Sequence, residues 1–201
     1  MKATVSIVLL FISISFTSYS QKRLELKNIG FSMNTPKDWL TMNNEEVLEN
    51  LNKYDFTDKQ FQQLLKANKS ALDIAIYTKY DAKKYKGIIP TIKIRTNSNP
   101  TKSSKEFLNY VEASSESGKK ALDDFRFIVK PTIVKISDKD VVKFSVKFSL
   151  KNGGDKYEIV SNSYYIPKNG YYISLNFIEQ VGKEDNQQFF EQLIKSIKLT
   201  K

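Results

Sequence analysis

The sequence predicts an α+β domain organised around an antiparallel sheet, on three observations. From residue 127 onward, four strand-like runs follow one another with only short turns between them, which is the pattern of a meander. Stretches with apolar residues at helical spacing, each opened by a capping pair, stand before that meander and after it. No internal repeat or low-complexity linker divides residues 21–201, so they read as one domain.

The elements follow in chain order. Residues 27–33 read as a strand, Asn34-Thr35-Pro36 as a turn with proline fixing the backbone, and Trp39-Leu40 as a second short strand. Asn43 with Glu46 three residues later opens a helical stretch carrying Val47, Leu48 and Leu51. Thr57 with Gln60 repeats that signature before Phe61, Leu64 and Leu65. Strands are expected over 71–80 and 88–96, joined by a lysine-tyrosine loop and followed by turn chemistry over 97–101 around Pro100. Ser103 and Glu106 cap a helix with Phe107, Tyr110 and Val111 on one face, running to about residue 117, with Gly118 as its stop. The meander then occupies 127–137, 141–151, 157–167 and 171–181. Its turns are Ser137-Asp138-Lys139-Asp140, Asn152-Gly153-Gly154-Asp155 and Lys168-Asn169-Gly170. In the second run Val142, Phe144, Val146, Phe148 and Leu150 point one way and Lys143, Ser145, Lys147, Ser149 and Lys151 the other, so one sheet face there meets water or a polar cleft. Asp185 with Gln188 caps a last helix whose stripe is Phe189, Phe190, Leu193, Ile194 and Ile197.

The first 20 residues have another origin. Lys2 precedes an apolar run over 5–16, broken only by Ser6, Ser13 and Ser15, and then comes Ser18-Tyr19-Ser20. That order is the layout of a secretory signal peptide, cleaved between Ser20 and Gln21. The apolar run is shorter than the roughly 20 residues a membrane span requires. The protein is therefore expected to be exported, to the periplasm or the extracellular space. Cleavage removes one Lys and no acid from a +10 balance, leaving +9.

The composition excludes much chemistry. The 201 residues are 40% hydrophobic and 27% charged, an ordinary globular balance that sets aside collagen-like, disordered and multi-span classes. Without His or Cys there are no usual zinc ligands, no Ser-His or Cys-His nucleophile pair and no disulfide. Acid-base work would fall to carboxylates, Tyr and Lys, yet Glu45-Glu46 and Asp123-Asp124 are adjacent in sequence and so diverge in space. Asn152-Gly153-Gly154-Asp155 offers too few oxygen ligands for calcium and lacks the lysine-serine pair of a phosphate loop. Ser114, Ser115 and Ser117 have no assignable base, and a Ser-x-x-Lys spacing arises by chance in so lysine-rich a chain. No catalytic, cofactor-binding or metal-binding residue is assigned, and no cofactor is expected.

Three surface constellations remain. Lys79, Lys83, Lys84 and Lys86 interleave with Tyr77, Tyr80 and Tyr85, as a phosphate-tracking patch would. However, only Arg23, Arg95 and Arg126 of the 32 basic residues are Arg, and with export this argues for a solubilising loop and against a nucleic-acid partner. Tyr164, Tyr165, Tyr171 and Tyr172 flank one turn; adjacent strand residues face opposite ways, so one of each pair belongs to the core. Lys93, Arg95, Lys143, Lys147, Asn162 and Asn176 form a polar set that could floor an anion site if strand order brings them to one face.

With these elements placed, the chain resembles the PsbP-like family, which includes an extrinsic photosystem II protein, a Ran-binding import factor and DcrB-type bacterial envelope proteins. The resemblance rests on Gly30-Phe31-Ser32-Met33-Asn34-Thr35-Pro36-Lys37-Asp38-Trp39 and the Phe107 helix. Late residues add Gly170-Tyr171-Tyr172-Ile173-Ser174 and the closing Phe189-Phe190-Glu191-Gln192-Leu193-Ile194-Lys195-Ser196-Ile197. It covers nearly all of residues 27–199. It implies a central antiparallel sheet sandwiched between helices, an α-β-α arrangement, and a non-enzymatic module. The family's metal-associated His has no counterpart here, and the long 43–70 segment keeps its partner surfaces from transferring. The functional expectation is an exported binding or interaction module for an unspecified protein or envelope component. The alternatives are a protein held to anionic lipid or polysaccharide by its lysines, or a hydrolase using Ser-Lys or carboxylate chemistry.

Overall fold

The computed structural model describes residues 22–43, 58–67, 71–152 and 154–200. The expected signal segment, the helix carrying Val47, Leu48 and Leu51, and Gly153 lie outside the described residues. Strands β1 (Arg23–Leu26), β2 (Phe31–Asn34) and β10 (Lys198–Leu199) form a small sheet in the order β1-β2-β10. Strands β3 (Leu40–Asn43), β4 (Ala71–Thr78), β5 (Thr91–Ser98), β6 (Asp123–Ile136), β7 (Lys139–Asn152), β8 (Asp155–Pro167) and β9 (Tyr171–Gln180) form the main sheet. Its order is β3-β4-β5-β9-β8-β7-β6, every neighbour antiparallel. Helices α1 (Asp58–Ala67), α2 (Ser104–Glu116), α3 (Gly118–Ala121) and α4 (Gln187–Lys195) complete the described elements. No helix among the described residues is long and apolar enough to cross a membrane.

The meander forms as the alternation predicts, and α2 starts where its cap places it: the Ser103 hydroxyl accepts from the Glu106 N–H at 3.2 Å. Several boundaries differ: β6 starts already at Asp123, β5 only at Thr91, and β3 runs through Asn43, the expected opening of a helix. Residues 27–29 form a 3-10 turn, not strand, closed by Gly30 at φ 61°, so the opening run splits into β1 and β2 and folds on itself. β5 continues through Ser98 because β9 supplies it with partners as far as Tyr171. α2 ends at Glu116 with Ser117 as its C-cap, as expected, but Gly118 opens a further helical turn, α3, and does not end the helical path. α4 is capped at Asn186, while Asp185 Oδ1 accepts from the Gln187 N–H at 2.9 Å; Ile197 lies past the helix end but is still buried.

The sheet is buried on both faces, but not over the same strands. On one face Ile92, Ile94, Ile173, Leu175 and Phe177 form the larger core under Phe61 and Leu65 of α1, Phe190 and Leu193 of α4, and the small sheet's Leu26, Phe31 and Met33. On the other, Phe107 and Val111 of α2 close over Val142, Phe144 and Val146 of β7. An antiparallel sheet with helices packed on it is therefore present. Among the described residues a complete helical layer on each face is not seen: part of one layer is the small β-sheet, and α2 covers the other over β7 and the Tyr165–Tyr172 ends of β8 and β9, leaving β4 and β5 bare. Among the described residues each face keeps an uncovered half, and the two halves are at opposite ends of the strand order.

Candidate ligand-binding cleft

The uncovered half of the larger-core face lies over β7, β8 and the start of the α4 approach. Registry places Lys143 beside Tyr164, Ser145 beside Asn162 and Asn162 beside Phe177, all on this face because Val142, Phe144 and Val146 are taken up by the core under α2. These side chains floor a cleft of about 430 Å³, within the range of small-molecule pockets. Phe190 of α4 and Val160 give it apolar walls. At the mouth, the register of edge strand β6 slips on either side of Val129, and both Ile128 and Val129 line the opening, 53% and 39% exposed.

Charge in the cleft is unevenly satisfied. The rim loop of residues 181–186 is clasped from the side: Lys79 pairs with Glu184 and donates to Asn186 Oδ1 at 2.9 Å, while Glu179 accepts from the Asn186 amide group at 2.9 Å. Burial alone would raise the Glu184 carboxyl, but hydrogen bonds from Lys79 and Tyr80 and the Lys79 charge outweigh it and hold it below its ordinary value. Asp185 accepts from the Gln187 N–H, and Glu191 accepts from Gln187 Nε2 at 3.3 Å. Every rim carboxylate thus has a donor. Lys143 differs: its ammonium stands 5.6 Å from the Tyr164 ring centroid and makes no ion pair among the described residues. Beside it the Ser145 hydroxyl donates to Asn162 Oδ1 at 2.6 Å. The cleft thus presents one unclaimed cation on a polar floor, with apolar side chains at wall and mouth.

The sequence constellations are distributed differently from a single floor. Lys143 and Asn162 line the cleft and Lys147 shares their face, paired to Glu158 at 2.9 Å. Lys93, Arg95 and Asn176 lie on the opposite face, because β5, β9 and β8 pair in the rows Arg95-Ser174-Tyr165 and Lys93-Asn176-Ser163. The tyrosine pairs split as strand alternation requires: Tyr164 and Tyr171 enter the larger core, and Tyr165 stacks on Tyr172 with centroids 5.2 Å apart. Of the lysine-tyrosine loop, Lys79 is committed to Glu184, and Tyr80 stacks on Tyr85 at 4.7 Å, so the loop buttresses the cleft rim. Asp123 and Asp124 pair with Lys151 and Lys156. Asn152 faces Asp155 across the tight hairpin, and Glu45 and Glu46 lie outside the described residues. Among the described residues no three carboxylates converge as metal ligands. Sequence reading missed Phe190, Glu179 and the rim loop as cleft residues, because only the folded strand order brings α4 and the rim loop to the edge of the floor formed by β7 and β8.

No protein-family model matches the chain, and no curated protein is similar to it in sequence. Among solved structures it is similar to one from Bacteroides thetaiotaomicron VPI-5482, at 12% identity and a TM-score of 0.43, covering 90% of this chain and 48% of that one. The chain thus spans about half the length of that protein. It is similar also to LpqN, involved in cell envelope biogenesis of Mycobacterium tuberculosis, at 10% identity and a TM-score of 0.47, covering 92% of this chain and 88% of LpqN. A third is the protein of unknown function PA94 from Pseudomonas aeruginosa, at 11% identity and a TM-score of 0.42, covering 63% of this chain and 78% of that one.

Proposed function

We propose that the protein is an exported, non-catalytic binding protein of the PsbP-like kind, whose cleft takes a small amphipathic anion. The observation that carries this is Lys143, the cleft-floor cation without an ionic partner among the described residues, set among Val160, Phe177 and Phe190; of the rim carboxylates Glu184 is ion-paired to Lys79, while Glu179, Asp185 and Glu191 are held at the rim by neutral N–H donors. An anionic head would pair with the ammonium and accept from the floor hydroxyls. An apolar body would cover Ile128 and Val129 at the mouth, whose exposure is otherwise unfavourable. The absence of His and Cys favours binding over nucleophilic chemistry, and the N-terminal charge-apolar-small order favours export. The PsbP-like reading is supported by how its quoted segments meet: Trp39 stacks on Phe189 at 5.4 Å and meets Phe190 edge-on at 6.3 Å.

Calorimetric titration with dodecanoate and with dodecyltrimethylammonium tests this. The carboxylate is expected to bind and the ammonium not to. Lys143→Gln should weaken the carboxylate about tenfold through loss of one charge-assisted contact, and Val160→Trp should block it by filling the cleft. Binding indifferent to both substitutions, or equal for both headgroups, overturns the reading.

A further inference from the structure

The face opposite the cleft carries its own unclaimed cation. On β5, β9 and β8 the residues Arg95, Ser174 and Tyr165 are direct cross-strand neighbours, and Asn97 and Tyr172 are neighbours in the next row on the same face. Tyr110 of α2 meets the Tyr172 ring edge-on at 6.5 Å. Asp73, the other neighbour of Arg95, brings Oδ1 to 2.6 Å from Arg95 Nε, yet the N–H points off the line to the oxygen, so the contact is ionic without a formed hydrogen bond. Lys93 reaches the same oxygen at 3.4 Å. Among the described residues two cations therefore share one carboxylate, and one positive charge is left over. The terminal nitrogens of Arg95 and the hydroxyls of Tyr165 and Tyr172 make no hydrogen bond to the described residues.

We propose that Arg95, with the hydroxyls of Tyr165 and Tyr172, forms a second binding site, separate from the cleft, for a phosphate group. The guanidinium fork matches two oxygens of a tetrahedral anion, and the hydroxyls are donors for the others. They remain donors across the physiological range: burial pushes the Tyr165 hydroxyl up to about 12, and Tyr172 is raised by burial as well, each against the opposing pull of the Arg95 charge. Asn97 Nδ2 donates to Ser174 Oγ at 3.1 Å, so the Asn97 amide is tied to the strand beside Arg95. The side chain of Arg95 is 37% exposed, which gives an incoming anion access.

The test is a titration of the purified protein with inorganic phosphate at constant ionic strength, followed by ¹H–¹⁵N NMR including the Arg95 side-chain signal. Saturable shifts are expected at Arg95, Tyr165, Tyr172 and Ser174. Arg95→Gln should weaken the site about tenfold or more, the scale of losing charged hydrogen bonds. Tyr165→Phe and Tyr172→Phe keep the stacked rings and should each weaken it several-fold; they keep the proposal falsifiable if Arg95→Gln does not fold. Asp73→Asn should tighten binding by removing the competing charge, and Lys143→Gln should leave it unchanged. A glycerol 3-phosphate arm separates the sources: tighter binding of the ester supports an ester-borne or headgroup phosphate, and tighter binding of the free ion supports free phosphate. Shifts scattered over the surface lysines, or an affinity unaltered in both tyrosine variants, overturn the proposal.

Discussion

Because α2 closes the smaller core through a few side chains, Phe107→Ala is a demanding test of how the sheet is covered. Phe107 is fully buried, 5.3 Å from the Tyr172 ring and packed with Val142, Phe144 and Val146. Losing its transfer from water costs about 1.5–3 kcal/mol, and the space left behind brings truncation of a buried Phe to about 3–5 kcal/mol. Val111 is the only other fully buried α2 residue, so the helix is free to settle partly into the gap, and the lower end, about 3 kcal/mol, is expected. Against a typical domain stability of about 5–15 kcal/mol this is a large fraction. Urea denaturation read by far-UV circular dichroism measures the loss, and near-UV dichroism reports Tyr165 and Tyr172, which rest on that core. A loss under about 1 kcal/mol with an unchanged tyrosine signal would mean that α2 is not held by Phe107, and the two-core account would fail.

Two further outcomes follow from individual groups. Thr96 is completely buried between Leu72 and Ile173 of the flanking strands, and its hydroxyl has no hydrogen-bond partner among the described residues, so Thr96→Val should stabilise by about 1 kcal/mol in thermal unfolding. A loss of stability would show that the hydroxyl is satisfied. Glu184 has its carboxyl held below its ordinary value, so its contribution is present above the unfolded carboxyl pKa of about 4.3 and is lost as pH falls through the lowered folded value. Stability measured from pH 6 down to pH 3 should therefore fall less steeply in Glu184→Gln than in the parent chain; parallel curves would remove the Lys79–Glu184 clasp from the account.

How far the sequence specified the two candidate sites can be followed through register. The alternation of β7 put Lys143 and Val142 on opposite faces without any structure, since period two is a property of the strand alone. Hairpin registers were also accessible, because the short turns at 137–138 and 168–170 fix which residues of consecutive strands face one another. The pairing of β5 with β9 was not accessible. Those strands are joined through α2 and three intervening strands, so no turn fixes their register, and a one-residue shift would have carried Arg95 to the face of Lys143. The bulge in β4 between Asp73 and Ala75 is equally silent in sequence, yet it lets both Ile74 and Ala75 be buried while Asp73 remains beside Arg95. Register also explains why both sites exist. The larger core covers one face over β4, β5 and β9, and α2 covers the other over β7, so each layer leaves bare the half-face that the other covers on its own side. Long charged side chains are tolerated on those bare halves. Lys143 and Arg95 therefore sit where covering stops, and the same offset that prevents a full sandwich creates one polar recess on each side of the sheet.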